Sequence, residues 1–84
     1  MTVKELIEIL QQEDQDRIVI CQRDPEGNGF SPLSCVDTGA YLAETTWSGE
    51  RGIERLTGDL EELGFTEEDI LSGAVPALFL IPVN

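Results

Sequence analysis

The stretch "RIVICQRDPEGNGFSPLSC", residues 17–35, decides how the rest of the chain must be read. "RIVIC" (17–21) is short, β-branched and continuous, so it predicts a strand buried on both faces or nearly so. "DPEGNGFSP" (24–32) then interrupts it with prolines, glycines and an asparagine, each a turn former for its own backbone reason. A second strand is expected from about Leu33 to Leu42, with Gly39 at a bulge or bend. Together these form a hairpin with a long tip. With its centre at Asn28, Cys21 and Cys35 fall opposite one another, and a bond between them is left open for an oxidising environment. Otherwise both thiols are expected to be buried and reduced.

Upstream of the hairpin, Thr2 and Glu5 have the spacing of a capping box. Val3, Leu6, Ile7 and Leu10 follow as one apolar stripe, which predicts a helix ending near Gln12. Downstream, "ETTWSGERG" (44–52) reads as a polar surface loop. Ile53, Leu56, Leu60 and Leu63 have helical spacing, with Ser48 or Thr57 as alternative caps, although Gly52 and Gly58 weaken the first half of that helix. Gly64 is a suitable stop. Thr66 caps a short "EEDIL" helix (67–71) that Gly73 ends. The apolar run Ala77–Ile81, bracketed by Pro76 and Pro82, predicts a final strand with fixed ends. The order fits one α+β domain over residues 1–84: a single layer of about three strands, mixed or antiparallel, with two or three helices packed on one face.

Composition narrows the functional classes. Five Lys and Arg stand against seventeen Asp and Glu, a net charge of −12 without histidine. Such a chain is poorly suited to bind nucleic acid directly, because that affinity comes largely from basic side chains displacing counterions. It favours a basic protein partner instead, or acidity serves only to keep it soluble. No segment approaches the roughly 20 apolar residues that span a bilayer, and no signal peptide opens the chain, so no membrane association is expected. The expected oligomeric state is a monomer or a weak homodimer.

Chemistry-bearing patterns are few. Asp24, Glu26, Asn28 and Gly29 match the first half of a calcium loop, but the position that should carry the bidentate Glu is Cys35, and no helix follows. Tight calcium binding is therefore not expected, and a small cation-binding regulator using the 24–29 loop is the alternative. The cysteines lack CxxC spacing and cannot complete a zinc site. Adjacent acids recur at Glu13 and Asp14, at Glu61 and Glu62, and at Glu67, Glu68 and Asp69. As a catalytic set they would need a shared desolvated pocket that no feature of the sequence marks. Neither an enzyme nor a cofactor is expected. The remaining alternative is a purely structural protein without a specific ligand.

Two features point to binding. From Leu56 to Gly73 the chain carries acids and no Lys or Arg, which predicts a negative surface at Glu61, Glu62, Glu67, Glu68 and Asp69. Trp47 stands among Thr, Ser, Gly and Glu, where it either supplies an interface anchor or folds down over an edge of the core. "MTVKELIEIL" before a short strand, "EGNGFSPL", "ETTWSGE" and the terminal "AVPALFLIPVN" together resemble a group of short acidic proteins of tailed bacteriophages and prophages. The resemblance spans most of the chain and implies the bacterial host cytoplasm; it brings no catalytic residue. The expected function is that of a non-enzymatic accessory protein binding a basic surface of a host or phage protein, including one that handles nucleic acid or serves in defence.

Overall fold

The computed structural model describes every residue, Met1–Asn84. The elements run α1 (Val3–Gln11), β1 (Ile20–Gln22), β2 (Phe30–Ala43), β3 (Gly49–Gly52), α2 (Gly58–Glu62), a 3-10 turn at Glu67–Asp69 and β4 (Val75–Pro82). The architecture is α+β, as expected, with an antiparallel sheet of four strands where about three, mixed or antiparallel, were expected. The long strand β2 pairs with β1, β3 and β4. The chain divides into two compact units, the first formed by Met1–Val36 with Leu80–Asn84 and the second by Asp37–Phe79.

In the first unit, local hydrogen bonds set each element. The Glu5 amide donates to Thr2 Oγ1 at 3.2 Å and the Thr2 hydroxyl donates to Glu5 Oε1 at 3.1 Å, so α1 starts where its cap directs. The hairpin closes earlier than Asn28. The Gly27 amide donates to the Asp24 carbonyl at 3.2 Å, and Gly27 takes φ 78°, a left-handed angle suited to glycine. The register therefore sets Cys21 against Ser31, not Cys35, and both cysteines are free. Ser31 is the buried residue of this unit; its hydroxyl accepts from the Asn84 amide at 3.0 Å. The Val83 amide donates to the Pro32 carbonyl at 2.9 Å, tying the end of the chain to β2.

Three expectations about burial fail here, the first being that both thiols are buried: Cys35 is exposed and Cys21 only half-buried. β1 is confined to Ile20–Gln22, and the β-branched run meant for a doubly buried strand is open, with Ile18 82% and Val19 50% exposed. The apolar stripe of α1 is likewise uncovered: Val3, Ile7 and Leu10 are 52, 48 and 44% exposed, and Leu6 alone is half-buried. A strand is doubly buried only when layers cover both its faces, and β1 pairs with β2 alone.

The second unit is organised by close backbone approach. Its buried positions are Gly39, Ala40 and Gly52. A Cβ on Gly52 would lie 2.7 Å from the Asp69 carbonyl oxygen and 2.8 Å from Leu71 Cγ; one on Gly39 would lie 3.1 Å from Phe79 Cε2. The Ile53 amide donates to the same Asp69 carbonyl at 3.0 Å, which fixes the chain after β3 against the 3-10 turn. The "GERG" segment expected in a loop is thus β3, paired from Ala40↔Gly52 to Ala43↔Gly49. The expected helix from Ile53 shortens to Gly58–Glu62, beginning at the Thr57 cap, whose Oγ1 accepts from the Leu60 amide at 3.3 Å. It ends at Gly64, φ 98°, where the Phe65 amide donates to the Leu60 carbonyl and the Gly64 amide to that of Glu61, both at 3.0 Å. The "EEDIL" segment forms only the three-residue turn Glu67–Asp69. β4 takes in both flanking prolines and alternates between exposed and half-buried residues. Proline removes one donor, which is tolerated at strand ends such as Pro76 and Pro82.

Candidate functional site

The candidate contact surface lies in the second unit. Trp47 sits in the five-residue tip joining β2 to β3. The Glu44 and Thr45 amides both donate to the Ser48 carbonyl at 3.0 Å, the Thr45 and Ser48 hydroxyls lie 2.7 Å apart, and the Trp47 amide donates to Thr45 Oγ1 at 3.2 Å. The tip is therefore ordered by its own polar groups, while the indole is 84% exposed. It does not fold down over a core. An aromatic ring with few rotatable bonds, held on a fixed turn, loses little entropy when a partner covers it.

The five acids expected to form a negative surface, all in the same unit, divide into two kinds. Glu61 and Glu62 lie on α2, and Glu67 and Glu68 on the 3-10 turn, all exposed and free of ion pairs. Asp69 is occupied: its carboxylate accepts from the Thr66 amide at 2.8 Å and its carbonyl from Ile53. It is a capping residue half-buried against the chain, so of the five Glu61, Glu62, Glu67 and Glu68 are free, as are Glu44, Glu50, Glu54 and Asp59 of the same unit.

One arrangement escapes the sequence patterns. Arg51 on β3 donates to Asp37 Oδ2 at 2.8 Å, and its guanidinium lies over the Phe79 ring, 4.1 Å from the centroid. This bond, aided by the Thr38 amide, holds the Asp37 carboxyl below its ordinary pKa. Arg51 and Arg55, the cations of this unit, line an open groove of about 940 Å³ together with Leu60, Leu63 and Phe65.

The 24–29 loop belongs to the first unit. Asp24 Oδ1 accepts from the Glu26 amide at 3.0 Å and the Asn28 amide at 3.2 Å, and Oδ2 from Asn28 Nδ2 at 2.9 Å. The Asn28 side chain is the largest cause of a lowered Asp24 pKa, with that residue's amide next. Asp24 and Asn28, two of the three cation-ligand candidates, thus face one another as acceptor and donor. Glu26 contributes its amide to the same carboxylate. No group of three or more His, Cys, Asp or Glu is placed to hold a metal ion, and no helix is long and apolar enough to cross a membrane. A smaller hollow in this unit, beside Cys21, Arg23 and Phe30, contains no acid.

Comparison with protein families, with characterised proteins and with solved structures finds no match to this chain.

Proposed function

We propose that the chain is a non-enzymatic accessory protein of phage type, working in the bacterial cytoplasm, that binds a basic surface of a host or phage protein. The observation that carries this reading is Trp47, 84% exposed on a tip whose hydrogen bonds use its backbone amide and not its indole. Folding does not explain an indole held in water, whereas tryptophan at the centre of an interface is among the strongest anchors. The unpaired carboxylates of Glu61, Glu62, Glu67 and Glu68 belong to the same unit and would raise the rate of encounter with a positive surface. A partner that handles nucleic acid, in host defence or elsewhere, has such a surface.

The test is capture from lysates of several bacterial hosts at moderate salt. The wild-type chain should retain a basic protein, more weakly as salt rises. Trp47→Ala should weaken retention by about thirtyfold with an unchanged melting temperature. The double variant Glu61→Lys, Glu62→Lys should chiefly slow association. A chain that retains nothing from any host, or a partner retained equally well by Trp47→Ala, would sink the reading.

A further inference from the structure

The groove beside Arg51 and Arg55 is shaped before anything enters it. Leu60 is set by the Thr57 cap, and the left-handed turn at Gly64 brings the Phe65 amide back to the Leu60 carbonyl. Leu60, Leu63 and Phe65 thus line the groove on a segment held by its own backbone. Arg51 is held by Asp37 and the Phe79 ring, and Ile53 by the Asp69 carbonyl. Leu63 is 75% and Phe65 38% exposed, so apolar surface in the groove meets water. A single exposed leucine needs no explanation, whereas several apolar side chains lining one concave surface mark a binding groove. Walls fixed in advance lower the ordering cost of filling it.

Charge decides what fits. The unit Asp37–Phe79 carries ten acids against Arg51 and Arg55. Arg51 is paired with Asp37, which leaves Arg55 as the groove's one free cation. Glu54 lines the groove without an ion pair, and Asp59, Glu61 and Glu62 stand on α2 with Leu60. α2 is about one Debye length long at physiological salt, so those charges act on whatever lies against Leu60. An anionic occupant would gain Arg55 and face four free carboxylates; a cationic one reverses that balance.

We propose that the groove receives a segment of the basic partner in which large apolar side chains are flanked by Lys or Arg. The apolar groups lie against Leu60, Leu63 and Phe65, and the cations toward Glu54 and the acids of α2. The inference rests on the reading of a basic protein partner. It adds to Trp47 a second contact, one that selects for apolar residues within the positive surface.

The test titrates the full, isotope-labelled chain with synthetic peptides and follows its amides by NMR. One peptide sets leucines at helical spacing among lysines, a second sets the same leucines among glutamates, and a third replaces the leucines of the first by serine. The leucine-lysine peptide should shift the amides of Leu60, Leu63, Gly64 and Phe65. The glutamate peptide should shift none, and the serine peptide should bind at least about tenfold more weakly. Leu63→Ser changes a residue that is 75% exposed, so the melting temperature should hold. It should weaken the leucine-lysine peptide about tenfold. Arg55→Glu should tighten that peptide about threefold, an effect that neither a structural role for Arg55 nor an anion site would produce. Binding of the glutamate peptide, equal binding of the serine peptide, or a leucine-lysine peptide that shifts no amide of the groove overturns the inference. So does an affinity that ignores Leu63→Ser, or one that Arg55→Glu fails to raise. None of these results needs a captured partner. A host protein retained through Trp47 while the groove stays empty leaves the first reading standing and this one overturned.

Discussion

The two units differ in how they hold their residues. In Met1–Val36 with Leu80–Asn84, order comes from short-range polar bonds: the Thr2 cap, the Asp24 turn and the Ser31 hydroxyl on the Asn84 amide. In Asp37–Phe79 it comes from backbone brought against backbone at Gly39 and Gly52, with Phe79 and Leu71 closing the gaps. The contrast teaches that local bonds are enough to write a helix and a hairpin, but burial requires a partner surface. The second unit supplies enough of it to bury Ala40 and half-bury Phe79 and Leu71; within the first, no apolar residue is more than half-buried.

Gly52→Ala should break the second unit sharply. The added methyl meets a carbonyl oxygen at 2.7 Å and Leu71 at 2.8 Å, and the carbonyl cannot turn aside because it accepts from Ile53. A loss of about 1–3 kcal/mol is expected, read as a fall in melting temperature. Gly29→Ala is the matched change in the first unit. Its methyl would lie 3.4 Å from Arg23 Cβ, an ordinary contact, and stability should stay within about 0.5 kcal/mol. Equal losses in the two variants would erase the difference between the units.

Removing a helix cap is the next largest effect. Thr57→Ala leaves the Leu60 amide without its acceptor, as Thr2→Ala leaves that of Glu5. Each should cost about 1 kcal/mol, with most of it restored by Ser. Amide exchange at Leu60 and Glu5 reports each loss locally. Matching costs would show that the units differ in burial and not in the strength of their local bonds.

These positions also explain what the sequence could disclose. Caps and stops depend on residues a few places apart, so Thr2 and Gly64 could be read directly, whereas Thr57 was one of two alternatives with Ser48 and Trp47 was left between an exposed anchor and a cover over the core. β3 could not. "GERG" has no β-branched or aromatic residue, and it becomes a strand because β2 offers it a ladder from Ala40 to Ala43. The helix expected from Ile53 failed for a related reason: Ile53 is spent on the Asp69 carbonyl, a contact between residues far apart in sequence. The apolar runs at Val3–Leu10 and Ile18–Val19 were read as core because hydrophobicity gives the tendency to be covered without naming the cover. The Arg51, Asp37 and Phe79 cluster was illegible for the same reason as β3, since the fold assembles it from three strands.

The smallest effect separates the units by pH and salt. Asp24 and Asp37 both have lowered pKa values, the first chiefly through the Asn28 side chain and the second chiefly through Arg51. A lowered folded-state pKa gives stability that is complete above the ordinary aspartate value and is lost as pH falls through the folded value. Both carboxylates are exposed, so the effect is expected in their own titrations, followed by carbon NMR, more than in the melt. Asn28→Ala should move Asp24 up toward the ordinary range, its backbone amide donors remaining, and leave Asp37 low; Arg51→Ala should do the reverse. Salt should weaken the Asp37 shift more, because its partner is a charge, while the partners of Asp24 are neutral amides. If both shifts respond alike to salt, the two units share an electrostatic cause, and the separation drawn between them fails at its most local point.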